Sequence, residues 1–139
     1  MSSSSTAIKR GKPSAPAKWL VENGLVQGRV LDYGCGRGDD CEAYGWDGYD
    51  PEFCPLLPSQ QYDTILCTYV LNVLPLGAQG SVVAHVYGYL QKGGRAYFTV
   101  RRDDPEKWGP DQRHVELDLP VVHEEAGSFI IYEMRRTVE

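Results

Sequence analysis

The 139-residue sequence lacks any apolar run near the ~20 residues that a membrane-spanning helix needs. It also lacks the basic stretch and apolar core of a secretory leader, opening instead as MSSSST. These absences argue against a membrane or exported protein and lead to the expectation of a soluble, cytoplasmic one. Cysteine is sparse: Cys35, Cys41, Cys54 and Cys67 form no CxxC pair and show no Cys/His spacing of the zinc type. No metal site is expected, and the thiols read as reduced and structural. Basic residues are outnumbered, 14 Lys and Arg against 19 Asp and Glu, for a net charge of -5. That balance excludes the broad phosphate-binding face of a strongly basic nucleic-acid binder. Local patches remain, at Lys9, Arg10 and Lys12, at Arg101 and Arg102, and at Arg135 and Arg136.

No repeat is visible, and the length is that of one domain. Residues 1–13 read as a flexible basic segment and 14–139 as a single domain. Ser14 is a plausible N-cap, Pro16 is tolerated in a first turn, and Gly24 is placed to end that helix. Arg29 to Tyr33 reads as a strand running into Gly34-Cys35-Gly36-Arg37-Gly38, and Asp39 and Asp40 favour the start of a short helix through about Tyr44. Trp46 to Tyr49 is a second strand ending at Asp50-Pro51. The continuous apolar text of Tyr62 to Tyr69 is a buried parallel strand. Ala78, Val82, Val86 and Leu90 form one helical stripe, closed by Lys92-Gly93-Gly94. Arg95 to Arg101 is the next strand, and Val115 to Val122 with Ser128 to Met134 flank HEEAG as an antiparallel hairpin. The alternation implies an α/β sheet.

The chemistry sits at the first two strands. A glycine-rich loop after a strand lets backbone approach a ligand, and an acidic residue at the end of the next strand can take both hydroxyls of a ribose. Asp50 stands sixteen residues after Gly34, close to the usual ~20 of that pairing. The lysine and hydroxyl of a phosphate-binding P-loop are missing, because Gly38 is followed by Asp39.

VLDYGCGRGDD, WDGYDP, YDTILCTYVLNVLP and LQKGGRAYFTV together resemble the class I S-adenosylmethionine-dependent methyltransferases, over about Val30 to Val100. The resemblance implies a reduced Rossmann-like sheet, mostly parallel with a C-terminal antiparallel hairpin. It implies that Asp32, Tyr33, Gly34, Gly36 and Gly38 surround the methionine part of S-adenosyl-L-methionine, with Asp50 on the ribose. The charge of Asp39 would repel phosphate but suits the methionine ammonium, and Thr68 joins the cofactor set. Only eleven residues separate Asp50 from Tyr62, so the family's third strand, its flanking helices and its acidic adenine contact have no counterpart. Pro51 and Phe53 are expected to pack on adenine instead.

TAIKRGKPSAPAKWLVENGL joined to VLDYGCGRGDD and GYDP is similar to methyltransferases associated with DNA phosphorothioation. That likeness implies a nucleic-acid acceptor, RNA or DNA, bound under a flap carrying Lys9, Arg10 and Lys12. Ligands of open α/β sheets sit beyond the carboxyl ends of strands, which makes Tyr69 and Asn72 the candidate catalytic residues. Asn72-Val73-Leu74-Pro75 resembles the Asn-Leu-Pro-Tyr motif of amino-methylating enzymes, but out of register: proline comes three residues after Asn72 with no aromatic behind it. His114 is a candidate for orienting substrate or acting as base. His85 and His123 read as structural or surface residues. Two other readings stand beside nucleic-acid methylation: a small-molecule methyltransferase, favoured by the acidic charge, and a non-catalytic cofactor-binding module. In the last, surface bared by the lost elements would serve a partner or a homodimer.

Overall fold

The computed structural model describes residues 12–138. Its elements run α1 (Ala15–Glu22), β1 (Val30–Tyr33), α2 (Asp39–Tyr44), β2 (Asp47–Tyr49), β3 (Tyr62–Thr68), α3 (Leu76–Tyr89), β4 (Leu90–Arg101), β5 (Val121–Glu125) and β6 (Phe129–Arg135). One six-stranded sheet contains all the strands in the order β2-β1-β3-β4-β6-β5. The first four are parallel to their neighbours, and β6 is antiparallel to both β4 and β5. This is the reduced α/β sheet expected, including its C-terminal hairpin.

Local chemistry explains most elements. Ser14 caps α1, its Oγ accepting from Ala17 N at 3.3 Å, with Pro16 in the first turn. β1 and β3 are buried along nearly their whole length, as parallel strands covered on both faces must be. One face packs on α3 through Leu31, Ile65, Val86 and Phe98. The other meets α1 through Ala17, Leu20, Leu66 and Tyr97. Tyr97 and Glu133 share a buried hydrogen bond of 2.9 Å between β4 and β6.

Three boundaries differ from the sequence reading. Lys92-Gly93-Gly94 does not close α3; β4 already begins at Leu90, paired with Tyr62, and the glycines form a bulge before Arg95 meets Thr64. A side chain at Gly94 would press on the carbonyls of Gln91, Asp63 and Tyr62, at 2.9 to 3.1 Å, so this bulge requires glycine. The hairpin holds, but β5 starts at Val121 rather than Val115. Val115 and Leu117 still point into the core without a strand beside them. Between Asp50 and Tyr62 the chain makes only a turn and an isolated bridge from Asp50 to Cys54. The expected loss of a helix, strand and helix there holds among the described residues, leaving β2 at the edge of the sheet.

Candidate functional site

The glycine loop is forced into shape by contacts on every side. Gly34, Gly36 and Gly38 all have positive φ, the region where a side chain is strained. A Cβ on Gly34 would collide with Val70 Cγ2. Tyr49 O accepts from both Gly34 N (2.6 Å) and Cys35 N (2.9 Å), which locks the loop to the end of β2. The loop then feeds α2, where Asp39 is the first residue and Asp40 is buried. Asp40 reaches across to α1: its carboxylate accepts from Ser14 N at 2.6 Å and from Ser14 Oγ at 2.8 Å.

Asp50 is buried and turned inward. Its Oδ2 accepts from Gly36 N at 3.0 Å, and its Oδ1 from Glu52 N and Phe53 N at 2.9 and 3.1 Å. The carboxylate expected to face a ribose thus braces the glycine loop and the following turn, and a ribose would have to exchange those N–H donors for its hydroxyls. Asp32, at the heart of the site, is buried, and its pKa is raised well above the usual carboxylate range. Burial is the chief cause, with the negative neighbours Asp40, Cys35 and Asp50 adding to it.

A cleft of ≈ 540 Å³ opens beside the loop, lined among others by Gly36, Arg37, Gly38, Trp46 and Phe53. The Arg37 guanidinium lies over the Phe53 ring, 4.9 Å from its centre. Phe53 is therefore at the cleft wall, while Pro51 is exposed in the adjoining turn. The Tyr33 side chain turns away from the glycine loop and bonds His85 Nδ1 on α3 at 2.6 Å, so the expectation at Tyr33 rests on its backbone.

Beyond β3 the backbone is unusual. Tyr69 is the one non-glycine with positive φ (59°) among the described residues, and its N–H donates to Thr99 O at 2.8 Å. Such a conformation at the carboxyl end of a parallel strand costs of order 1–2 kcal/mol. Beside it, Thr68 Oγ1 and Asn72 Oδ1 are buried and have no hydrogen-bond partner. The Asn72 side-chain amide nitrogen donates to Gln112 Oε1 at 2.6 Å, and the Asn72 backbone carbonyl accepts from Arg113 N at 2.6 Å. Asn72 thus lies under the 109–113 loop, a contact between residues forty apart that no local pattern shows. His114 is apart from this group, half-exposed and facing Glu116 at 3.7 Å.

The basic residues weighed as surface patches are mostly engaged. Arg101 makes a two-pronged bond to Asp103 at 2.8 and 2.6 Å and lies over Trp108. Arg102 bonds Val115 O and Tyr132 Oη, Arg135 pairs with Glu133, and Arg136 bonds Leu90 O. Lys12 is exposed, and Lys9 and Arg10 lie outside the described residues. No group of three His, Cys, Asp or Glu side chains suited to a metal ion occurs among the described residues.

No protein-family model matches the sequence, and no curated protein sequence does. Solved structures do match. The magnesium protoporphyrin IX methyltransferase of Synechocystis PCC 6803, with bound SAM, superposes with a TM-score of 0.55 and 17% identity over 88% of this chain and 77% of that one. The N-methyltransferase NodS of Bradyrhizobium japonicum WM9 gives 0.57 and 15% over 88% and 94%. The 1,6-didemethyltoxoflavin-N1-methyltransferase of Burkholderia thailandensis, with its substrate and S-adenosylhomocysteine, gives 0.58 and 22% over 88% and 77%. The chain has the fold of these methyltransferases. Within that methyltransferase fold, the glycine loop, Asp50 and the end of β3 converge on one end of the sheet, where open α/β sheets bind their ligands.

Proposed function

We propose that the chain is an S-adenosyl-L-methionine-dependent methyltransferase. The observation that carries this reading is the left-handed glycine loop after β1, tied to Asp50 at the end of β2, inside the strand order β2-β1-β3-β4-β6-β5. The residues present fit the cofactor. The orphaned Thr68 Oγ1 and Asn72 Oδ1 are acceptors without a donor, and Cys35 to Gly38 line the cleft. Gly34, Gly36, Gly38, Asp39 and Thr68 would hold the methionine part, Asp50 the ribose, and Phe53 the adenine. When bound, the cofactor supplies an electrophilic methyl group on a sulfonium for an in-line displacement. Tyr69 and the 109–113 loop over Asn72 then orient the acceptor and exclude water.

For the acceptor, the pairing of Arg101 with Asp103 and of Arg135 with Glu133, together with the net charge of -5, favours a small molecule over a nucleic acid. The three methyltransferases above are consistent with this, their names giving a porphyrin, a toxoflavin precursor and an N-methylation. The nucleic-acid reading rests on Lys9, Arg10 and Lys12.

Calorimetric titration with S-adenosylmethionine and S-adenosylhomocysteine tests the cofactor, comparing the intact chain with Phe53→Ala, which leaves the loop bonds alone. Micromolar binding weakened by the variant is expected; an intact chain that binds neither compound refutes the function. Labelled methyl transfer into a metabolite extract should survive nuclease treatment. Incorporation that vanishes with nuclease, and with charge reversal at Lys9, Arg10 and Lys12, would restore the nucleic acid as acceptor.

A further inference from the structure

Three of the four cysteines meet at the cleft, although they are scattered in the sequence. Cys35 follows β1, Cys41 sits in α2, and Cys54 returns from the turn after Asp50. They gather around Gly48 of β2, where the strand carries no side chain. A Cβ there would stand 2.8 Å from Cys41 Sγ and 2.9 Å from Cys35 Sγ, so the two sulfurs flank the same small space. The two thiols influence each other directly. Each of the three also has a backbone carbonyl nearby: Gly36 O at 3.7 Å for Cys35, Asp47 O at 3.5 Å for Cys41 and Gly48 O at 3.3 Å for Cys54. Cys35 and Cys41 are half-buried in the cleft wall, open to a small reagent, whereas Cys67 is sealed in the core.

We propose that Cys35 and Cys41 form a peroxide-reactive dithiol, a modification site in the wall of the cleft. The two sulfurs are not equivalent. The hydrogen bond from Cys41 lowers the Cys35 pKa, outweighing burial and the nearby Asp50 charge. The same bond, with burial and the Asp32 charge, holds the proton on Cys41. Cys35 is thus the nucleophile and Cys41 the resolving thiol. The Cys35 thiolate attacks one oxygen of hydrogen peroxide and the O–O bond breaks, leaving a sulfenic acid and a hydroxide that takes up the proton Cys35 released. Cys41 then attacks the Cys35 sulfur. The S–S bond forms, the S–O bond breaks, and the hydroxyl leaves with the Cys41 proton as a second water. Two thiols lose two electrons and two protons, and one peroxide becomes two waters.

The intact chain, treated with a mild excess of hydrogen peroxide, alkylated and cut with trypsin, tests the pairing directly. Cleavage after Arg29, Arg37 and Lys92 separates Cys35, in peptide 30–37, from Cys41, Cys54 and Cys67, in peptide 38–92. A link between the two peptides that reduction removes is expected. It should persist in Cys54→Ser and Cys67→Ser and be lost in Cys41→Ser. A link that survives Cys41→Ser, or a Cys35 still fully alkylated after peroxide, overturns the proposal. Because the mapping needs no cofactor, its result stands apart from whether the chain binds S-adenosylmethionine.

Discussion

The two ends of the sheet are held by different forces. At the β1-β2 end the strands are four and three residues long, α2 has six residues, and the geometry is fixed by carboxylates accepting backbone N–H groups. Asp50 ties the glycine loop to its own turn, and Asp40 ties α2 to α1. At the β4-β6 end, a twelve-residue strand runs antiparallel to a seven-residue one with six successive buried positions, and apolar packing dominates. Polar ties can be exchanged for a ligand's donors and acceptors, whereas apolar burial cannot. The division puts adaptability at the cleft and cohesion away from it.

The largest test of this contrast is Gly34→Val. It adds a side chain at positive φ against Val70, so cofactor binding should be abolished and stability should fall by roughly 2–3 kcal/mol, read by titration and thermal melting. A variant that binds normally would mean the loop is not the site. Next, Asp50→Ala and Asp40→Ala should separate the two carboxylate ties. The first should weaken the cofactor by at least ~10-fold, about 1.4 kcal/mol. The second should cost about 2 kcal/mol of stability with cofactor affinity nearly unchanged. Equal effects on affinity would erase the distinction between brace and clamp.

A smaller effect is expected of Asp32→Asn. The folded pKa of Asp32 is raised above its unfolded value of about 3.9, so its ionisation works against the fold as pH rises through and beyond that value. The variant should melt higher than the parent at pH 7, with the gap closing toward pH 4; a gap independent of pH would argue against burial of the charge as its cause. The smallest concerns the ion pair just after β4. The bonds from Arg101 hold Asp103 down to about 2, with burial opposing and Trp108 assisting. Its contribution to stability is present above the unfolded value of about 3.9 and lost as pH falls toward 2. Asp103→Asn should therefore match the parent near pH 2 and melt slightly lower at pH 5. The effect stays small because the side chain is 30% exposed.

What was legible in the sequence was local. The Ser14 cap, the Gly34 to Gly38 loop with Asp39 and Asp50, the buried strand after Gln61 and the terminal hairpin each follow from spacing within a few residues. The missing third strand follows from the eleven residues between Asp50 and Tyr62 set against the methyltransferase family that the sequence resembles. What escaped notice depends on pairs far apart in the chain: Ser14 with Asp40, Tyr33 with His85, Asn72 with Gln112, and the cysteines around Gly48. Val115, Leu117 and Leu119 failed for another reason. Their alternation marks which side faces the core, and it was read as a strand although the backbone there has no ladder to join.

Tyr69 carries a consequence for stability. Its left-handed backbone is one that glycine or asparagine adopts almost without cost. A tyrosine in that conformation costs about 1–2 kcal/mol, roughly a 5- to 30-fold change in the folding equilibrium. The ring packs against the buried cluster of Leu20, Leu66 and Tyr97, so glycine at this position would relieve the backbone while giving up that packing, and a stability screen there reads the balance of the two.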